Sequence, residues 1–449
     1  MSKPNNQKVL SSDAKRGRPR APLASVLAVL SIIIACAVFL GVRYLWNKNS
    51  EDEVSEPEQT IDNQVVEKPT ETPNNQPPIS ADVTPHPKTP AIKVKGVFID
   101  AWTVAMEDKM TSFIDLCETS EINAIVIDVK DDSGSITFTS DNEQISAACA
   151  NTIPNIERLL SRLKEHGIYT IARLVCFKDP LWSEINPGLA IHNSRGAKWV
   201  DANGVSWLDP YNTGTWEYIS AVAKEAAQIG FDEIQLDYVR FPADGNLDEI
   251  DYERTEAGDT KSEVICDFLD YIREELADTS VWLSADVFGI IAVAGGDFEG
   301  IGQDLDSMLQ NADYICPMIY PSHFANKNAN GAGQIINDIL FEIPDLEPYE
   351  VVYNLLRMVK DRLPEDGNHA IIRPYLQAFT ASYLGNGYYM EYTAQEVLKQ
   401  IRAVYDAGFD EWILWNHSGD YSIYENVSSV MSSENSAGSS SETPAINNA

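Results

Sequence analysis

Residues 233–242 read EIQLDYVRFP, a short run in which polar and apolar side chains alternate up to an Asp. An alternation with a period of two residues is typical of a β-strand, and the Pro at its end is typical of a strand boundary. We therefore predict a strand here, and seven similar runs predict seven more. They are KGVFIDAW (95–102), AIVIDVKDD (124–132), YTIARLVCF (169–177), VWLSADVFG (281–289), YICPMIY (314–320), IIRPYLQAF (371–379) and EWILWNHS (411–418).

The segments between these runs have the apolar spacing of amphipathic helices. One of them holds Ile156, Leu159, Leu160 and Leu163, which would share one helix face. Eight strands that alternate with helices predict an α/β fold, a (β/α)8 TIM barrel, over residues 93–431. A doubly wound open sheet is the alternative, but it usually has fewer strands, and no GxGxxG motif follows the first strand here.

The chain before the barrel has a different character. Residues 21–42 contain an uncharged apolar run that, at about 1.5 Å per residue, spans roughly 30 Å of hydrocarbon. Residues 1–20 are rich in Lys and Arg, so the start is predicted to be cytoplasmic and the rest of the chain extracytoplasmic. The sequence thus predicts a single transmembrane helix at the cell membrane. A cleaved lipoprotein signal ending near Cys36 is the alternative.

Two low-complexity segments flank the barrel. Residues 43–92 are rich in Pro, acids and amides without an apolar period, and residues 432–449 are rich in Ser, Asn and Glu. Such compositions bury too little apolar surface to offset the entropy of ordering. We predict a disordered linker and a disordered tail.

The composition excludes several classes of function. With 68 acidic and 33 basic residues the net charge is -35, so a nucleic-acid backbone would be repelled. Six cysteines without a CxxC motif and six scattered histidines offer no recognisable metal site. We therefore predict no nucleic-acid partner, no metal and no cofactor.

Acidic side chains stand where two neighbouring strands end. Asp237 shares a strand face with Gln235, and Asp286 shares one with Ser284. Since adjacent strands lie about 4.8 Å apart, the two carboxylates are predicted to be neighbours at the carboxyl end of the barrel. Paired carboxylates perform glycoside hydrolysis, by retention at a separation of roughly 5 to 5.5 Å and by inversion at roughly 6.5 to 9.5 Å. The sequence leaves that choice open.

Other polar and aromatic residues near the strand ends are predicted to bind substrate. They would supply charges, hydrogen bonds and flat surfaces for a sugar ring. The set is Asp100, Trp102, Asp128, Lys130, Arg173, Trp207, Tyr320, Gln377, Trp415 and Asn416.

The motifs around these residues resemble a known family. FDEIQLDYVRFP at 231–242, WVDANGVSWLDPYN at 199–212, SADVFG at 284–289 and WILWNHSGDY at 412–421 resemble bacterial glycoside hydrolases of the DUF4015 type. The resemblance covers residues 95–424 and implies an α-amylase-like barrel in which the Asp ending the fourth strand is the nucleophile. Asp237 occupies that position. The amylase pattern has an Arg two residues before the nucleophile and a Glu ending the fifth strand, whereas this chain has Gln235 and Asp286.

The resulting hypothesis is a membrane-anchored glycosidase that acts on a polysaccharide outside the cytoplasm. Asp237 would be the nucleophile and Asp286 the acid. The alternative is a barrel that binds carbohydrate at the cell surface without cleaving it. A deacetylase is less favoured, because it would require a metal site.

Overall fold

All eight predicted strands form and lie in one parallel sheet. The computed structural model describes residues 87–252, 260–328, 331–421 and 424. The strands are β1 (Lys95–Ile99), β2 (Ala124–Lys130), β3 (Tyr169–Val175), β4 (Glu233–Asp237), β5 (Trp282–Phe288), β6 (Tyr314–Ile319), β7 (Tyr375–Gln377) and β8 (Trp412–Trp415). Each strand pairs with the next one along the chain, and β8 pairs with β1, so the sheet is a closed barrel.

Helices connect the strands and cover the outside of the barrel. The predicted apolar faces are buried, as Ile156, Leu160 and Leu163 show in the second connection. The β5–β6 connection contains two 3-10 turns followed by a single α-helical turn. The helices are α1 (Ala101–Val104), α2 (Glu107–Thr119), α3 (Ile156–Glu165), α4 (Pro180–Ile185), α5 (Thr213–Ile229), α6 (Lys261–Glu275), α7 (Leu305–Met308), α8 (Pro348–Arg362) and α9 (Ala394–Asp406).

A buried ionic cluster fills the amino-terminal end of the barrel. The Arg373 Nη1 atom donates to both carboxylate oxygens of Glu233 at 2.7 and 2.9 Å, and its Nε atom donates to Glu411 at 2.8 Å. The Tyr169 hydroxyl also donates to Glu233, at 3.1 Å. Because these groups occupy the interior, the barrel is packed at this end and its functional groups must lie at the other.

The long β3–β4 connection is folded. It contains α4 and three isolated β-bridges, Ala190 to Leu208, His192 to Lys198 and Val200 to Ser206. Its aromatic side chains Trp199 and Trp207 are each 3% exposed. This segment therefore packs beside the carboxyl ends of β3 and β4.

The predicted membrane and low-complexity segments lie outside the described residues, apart from the end of the linker at residues 87–92. Within the described part of the chain, no helix has the length and apolar character needed to cross a bilayer.

Candidate active site

Asp237 and Asp286 lie side by side at the carboxyl end of the barrel. The β4–β5 register sets Gln235 beside Ser284 and Leu236 beside Ala285, so the two carboxylates follow at the same level. Both side chains are buried, with 7% of Asp237 and 2% of Asp286 exposed. The period of two that placed them together in the sequence thus holds in the structure.

Asp237 is surrounded by hydrogen-bond donors. Arg173, inside β3, donates to its Oδ2 atom from Nε at 2.9 Å and from Nη2 at 2.6 Å. The backbone N–H of Tyr238 donates to Oδ1 at 2.6 Å. Tyr238 adopts a left-handed backbone conformation, with φ of 49°, which directs this N–H back at the carboxylate. Donors of this kind stabilise the ionised carboxylate that a nucleophile needs.

Asp286 has the opposite environment. Its Oδ1 atom is buried and has no hydrogen-bond partner among the described residues. Burial raises the pKa of Asp286 well above its ordinary value, and the negative charge of Asp237 raises it further. This shift favours the protonated carboxyl group that a general acid requires.

Arg173 connects the carboxylate pair to β2 and to an aromatic wall. Its Nη1 atom donates to Asp128 at 2.6 Å. Burial raises the pKa of Asp128 to about 7, although Arg173 acts in the opposite direction. The guanidinium carbon lies 5.6 Å from the ring centroids of both Phe98 and Trp415, which stack on each other at 4.0 Å. Trp415 is half-buried and provides an apolar surface beside the acids.

Tyr320 completes this group of predicted residues. Its side chain is 3% exposed, and burial raises the pKa of its hydroxyl well above the ordinary value, with further contributions from Asp286 and Asp237. The phenol therefore stays neutral and can donate a hydrogen bond.

Three predicted binding residues are buried and held by neighbouring protein groups. Lys130 is fully buried, and its Nζ atom lies 2.8 Å from a carboxylate oxygen of Asp179. Gln377 is fully buried, and its side-chain amide is hydrogen-bonded within the protein: it accepts from the backbone N–H of Ser322 and donates to the carboxylate of Asp345. Trp207 is buried in the β3–β4 connection. These side chains support the structure around the site.

Three others lie at the rim. Asp100 caps α1, accepting from the backbone N–H groups of Trp102 and Thr103. Asn416 organises the turn after β8 by accepting from the backbone N–H of Ser418 at 3.0 Å. Trp102 is 68% exposed and is available for stacking at the mouth of the barrel.

The sequence analysis missed two features of the site. Phe98 shares a face of β1 with Asp100 and could have been found from the two-residue period. The left-handed backbone conformation of Tyr238 could not be predicted from the sequence, because Gly and Asn are the residues that usually adopt it. Among the described residues, no group of three or more His, Cys, Asp and Glu side chains could hold a metal ion.

A closed parallel barrel with two unlike carboxylates at the ends of neighbouring strands is the arrangement of glycosidases. Residues 96–421 match the family DUF4015, described as "Putative glycosyl hydrolase domain". The chain belongs to this family and is an enzyme of the glycosidase class. No curated protein sequence matches the chain.

The chain is similar to several solved structures. The glycoside hydrolase domain of PgaB (BpsB) from Bordetella bronchiseptica is 15% identical over 76% of this chain and 98% of that one, with a TM-score of 0.53. A hypothetical protein from Ruminiclostridium thermocellum ATCC 27405 is 39% identical over 42% of this chain and 97% of that one, with a TM-score of 0.40. The α-galactosidase TtGalA from Thermus thermophilus is 11% identical over 76% of this chain and 62% of that one, with a TM-score of 0.44.

Proposed function

We propose that this protein is a membrane-anchored glycoside hydrolase that cleaves a polysaccharide of the cell envelope with retention of configuration. The observation that carries the proposal is the difference in hydrogen bonding between two adjacent carboxylates. Asp237 receives three N–H donors, whereas Asp286 has a buried oxygen without a partner. An ionised nucleophile beside a protonated acid is what glycoside cleavage requires.

The steps follow from these charge states. Asp237 attacks the anomeric carbon while Asp286 gives its proton to the departing glycosidic oxygen, and a glycosyl ester forms on Asp237. Having given up its proton, Asp286 is ionised, and the ester removes the negative charge of Asp237, which together with burial raised the pKa of Asp286. Asp286 then accepts a proton from the water that hydrolyses the ester, and the product keeps its original anomeric configuration.

The other residues of the site position the reacting groups. Arg173, inside β3, donates to Asp128 at the end of β2 and to Asp237 at the end of β4, and these hydrogen bonds hold the nucleophile in place. The neutral hydroxyl of Tyr320 is available to a sugar oxygen, and the Trp415 ring offers a face on which a pyranose can stack.

The proposed location rests on the sequence. The basic segment 1–20 and the apolar run within 21–42 favour an anchor that places the barrel outside the cytoplasm. A tethered enzyme meets the polymers of its own envelope first, and this proximity motivates the substrate class.

The test compares the full-length protein in detergent with its Asp237→Asn form on a panel of envelope polysaccharides. We expect the variant to release reducing ends at least about 10³-fold more slowly, a loss of roughly 4 kcal/mol of transition-state stabilisation. Proton NMR of the first product distinguishes retention from inversion. Equal rates in the two proteins would remove Asp237 from the mechanism. Equal binding without cleavage by either would favour the carbohydrate-binding alternative.

A further inference from the structure

Arg240 occupies an unusual position three residues after Asp237. It lies in the loop between β4 and α6, and 8% of it is exposed. Its guanidinium carbon lies 4.5 Å from the ring centroid of Phe288, 4.9 Å from that of Trp207 and 5.2 Å from that of Tyr238. Since Phe288 ends β5, two residues after Asp286, the guanidinium lies beside the carboxyl end of the strand that carries Asp286.

The other buried basic side chains of the described residues all have carboxylate partners. Lys130 pairs with Asp179, Arg173 with Asp128 and Asp237, and Arg373 with Glu233 and Glu411.

Arg240 differs from them, because no carboxylate of the described residues lies within 4.0 Å of its nitrogens. Its one hydrogen bond among these residues goes from Nη1 to the backbone carbonyl of Phe241 at 2.9 Å. An arginine has five N–H donors, so most of this guanidinium has no protein acceptor. Burying a cation without a counter-charge in contact is unfavourable, and burial accordingly lowers the pKa of Arg240.

A second cation shares the same aromatic ring. The Lys178 Nζ atom, just beyond β3, lies 4.6 Å from the ring centroid of Tyr238 and 3.4 Å from its hydroxyl. Lys178 has no carboxylate within 4.0 Å among the described residues either. Arg240 and Lys178 thus share one aromatic ring and keep N–H donors that no described carboxylate contacts, although Asp132, Asp201, Asp237 and Asp244 act on their charges from farther away.

We infer that Arg240 and Lys178 form a subsite for the carboxylate of an acidic sugar, next to the bond that Asp237 and Asp286 cleave. A planar carboxylate matches the forked donors of a guanidinium, and the apolar rings exclude competing water. The inference rests on the proposed glycosidase function and names its substrate class. Because the acidic surface repels a dense polyanion, the expected polymer carries isolated acidic sugars in a neutral chain.

The test measures binding by isothermal titration calorimetry, with the full-length Asp237→Asn protein so that no probe is cleaved. One probe pair is a xylotetraose that bears a single glucuronate and the same molecule with its carboxylate reduced to an alcohol. The second pair is an N-acetylglucosamine–N-acetylmuramic acid tetrasaccharide and its carboxyl-reduced form. The first pair presents a ring carboxylate and the second a lactyl ether carboxylate.

We expect the acidic member of at least one pair to bind about 10-fold more tightly than its neutral partner, a difference of about 1.4 kcal/mol. Arg240→Gln should bring the two affinities together by weakening only the acidic member. Arg240→Lys, which keeps the charge without the fork, should retain part of the preference. Arg195→Gln is the matched control, because Arg195 is an exposed arginine of the β3–β4 connection and its loss changes the net charge equally.

The inference is overturned if both pairs bind without preference for the acid, or if the preference survives Arg240→Gln. Thermal unfolding checks that each variant is folded, and Lys178→Met tests the same subsite from the neighbouring strand. Because the readout is binding, a preference for the acid can be observed even where no cleavage occurs. A failure of the glycosidase proposal is thereby distinguished from a failure of the subsite.

Discussion

Asp237 and Asp286 have the same functional group but different surroundings, and the difference should appear in their kinetics. Asp286→Asn cannot protonate a leaving group, so cleavage of unactivated glycosides should slow by about 10² to 10⁴-fold. Aryl glycosides with acidic leaving groups need no proton and should be affected far less. Asp237→Asn should slow both kinds of substrate equally. Asp286 would not be the acid if its variant lost the same factor on both.

The pH dependence follows from the same residue. Activity requires protonated Asp286, whose pKa is raised, so kcat/KM should fall as pH rises through that raised value. In the Asp286→Asn form, assayed on an activated aryl glycoside, this alkaline decline should be absent. A decline that persists unchanged would have to be assigned to another group.

Lys130 provides a test of a structural role. Removing its ammonium leaves the buried Asp179 carboxylate unpaired, so Lys130→Met should lower the free energy of unfolding by about 3 to 5 kcal/mol. The double variant Lys130→Met/Asp179→Asn should recover part of this loss. Urea titration measures both. A Lys130→Met protein of normal stability and low activity would instead make Lys130 a substrate ligand.

The sequence analysis predicted the position of the two central acids, but it assigned Lys130 to the wrong face of its strand. The reason is an irregularity in β2. Asp128 and Lys130 share a face of an ideal strand, which is why both were predicted to point inward. The β2–β3 register shifts between these two residues, with Asp128 beside Arg173 and Lys130 beside Leu174. Such a bulge reverses the direction of the following side chain. No residue in AIVIDVK marks it, so a period-two argument could not have found it.

At the scale of elements, all eight strands were predictable because each is a short apolar run rich in β-branched or aromatic residues, and amphipathic helical segments separate the runs. The connection between β6 and β7 was not. It contains two pairs of strands of two or three residues, such as Gln334–Ile336 with Ile339–Phe341, which are too short to show a period. The seventh strand run is divided, since Arg373 and Pro374 separate Ile371–Ile372 from Tyr375–Gln377, and Pro lacks the N–H that a continuous ladder needs.

The close approach of β5 and β6 depends on a glycine. A Cβ atom on Gly289, directly after β5, would lie 2.5 Å from the backbone oxygen of Met318. Gly289→Ala should therefore separate the two strand ends, cost about 1 to 3 kcal/mol of stability and reduce kcat by displacing Asp286. Gly295→Ala is the control, because its Cβ would meet nothing within 4 Å. Calorimetry and steady-state kinetics test both, and equal behaviour would contradict the expectation.

At the scale of the whole molecule, the proposed anchor and the barrel should be separable. Deleting residues 1–43 should move the protein from the membrane fraction to the soluble fraction and leave kcat/KM on small soluble glycosides within about twofold, since the barrel makes its own core. Cell fractionation and kinetics measure the two effects. Persistent membrane association of the shortened chain would show that another segment holds it there.

The path of the chain into the barrel sets the direction in which the enzyme works. The backbone N–H of Thr89 donates to Ser280 just before β5, and β1 begins at Lys95, so the chain enters at the end closed by Arg373. The site opens at the opposite end. An anchored protein would therefore face its substrate away from the bilayer. The proposed linker of about 50 residues would, as a random coil, span roughly 40 Å on average and at most about 170 Å, which would set how far from the bilayer the active site reaches.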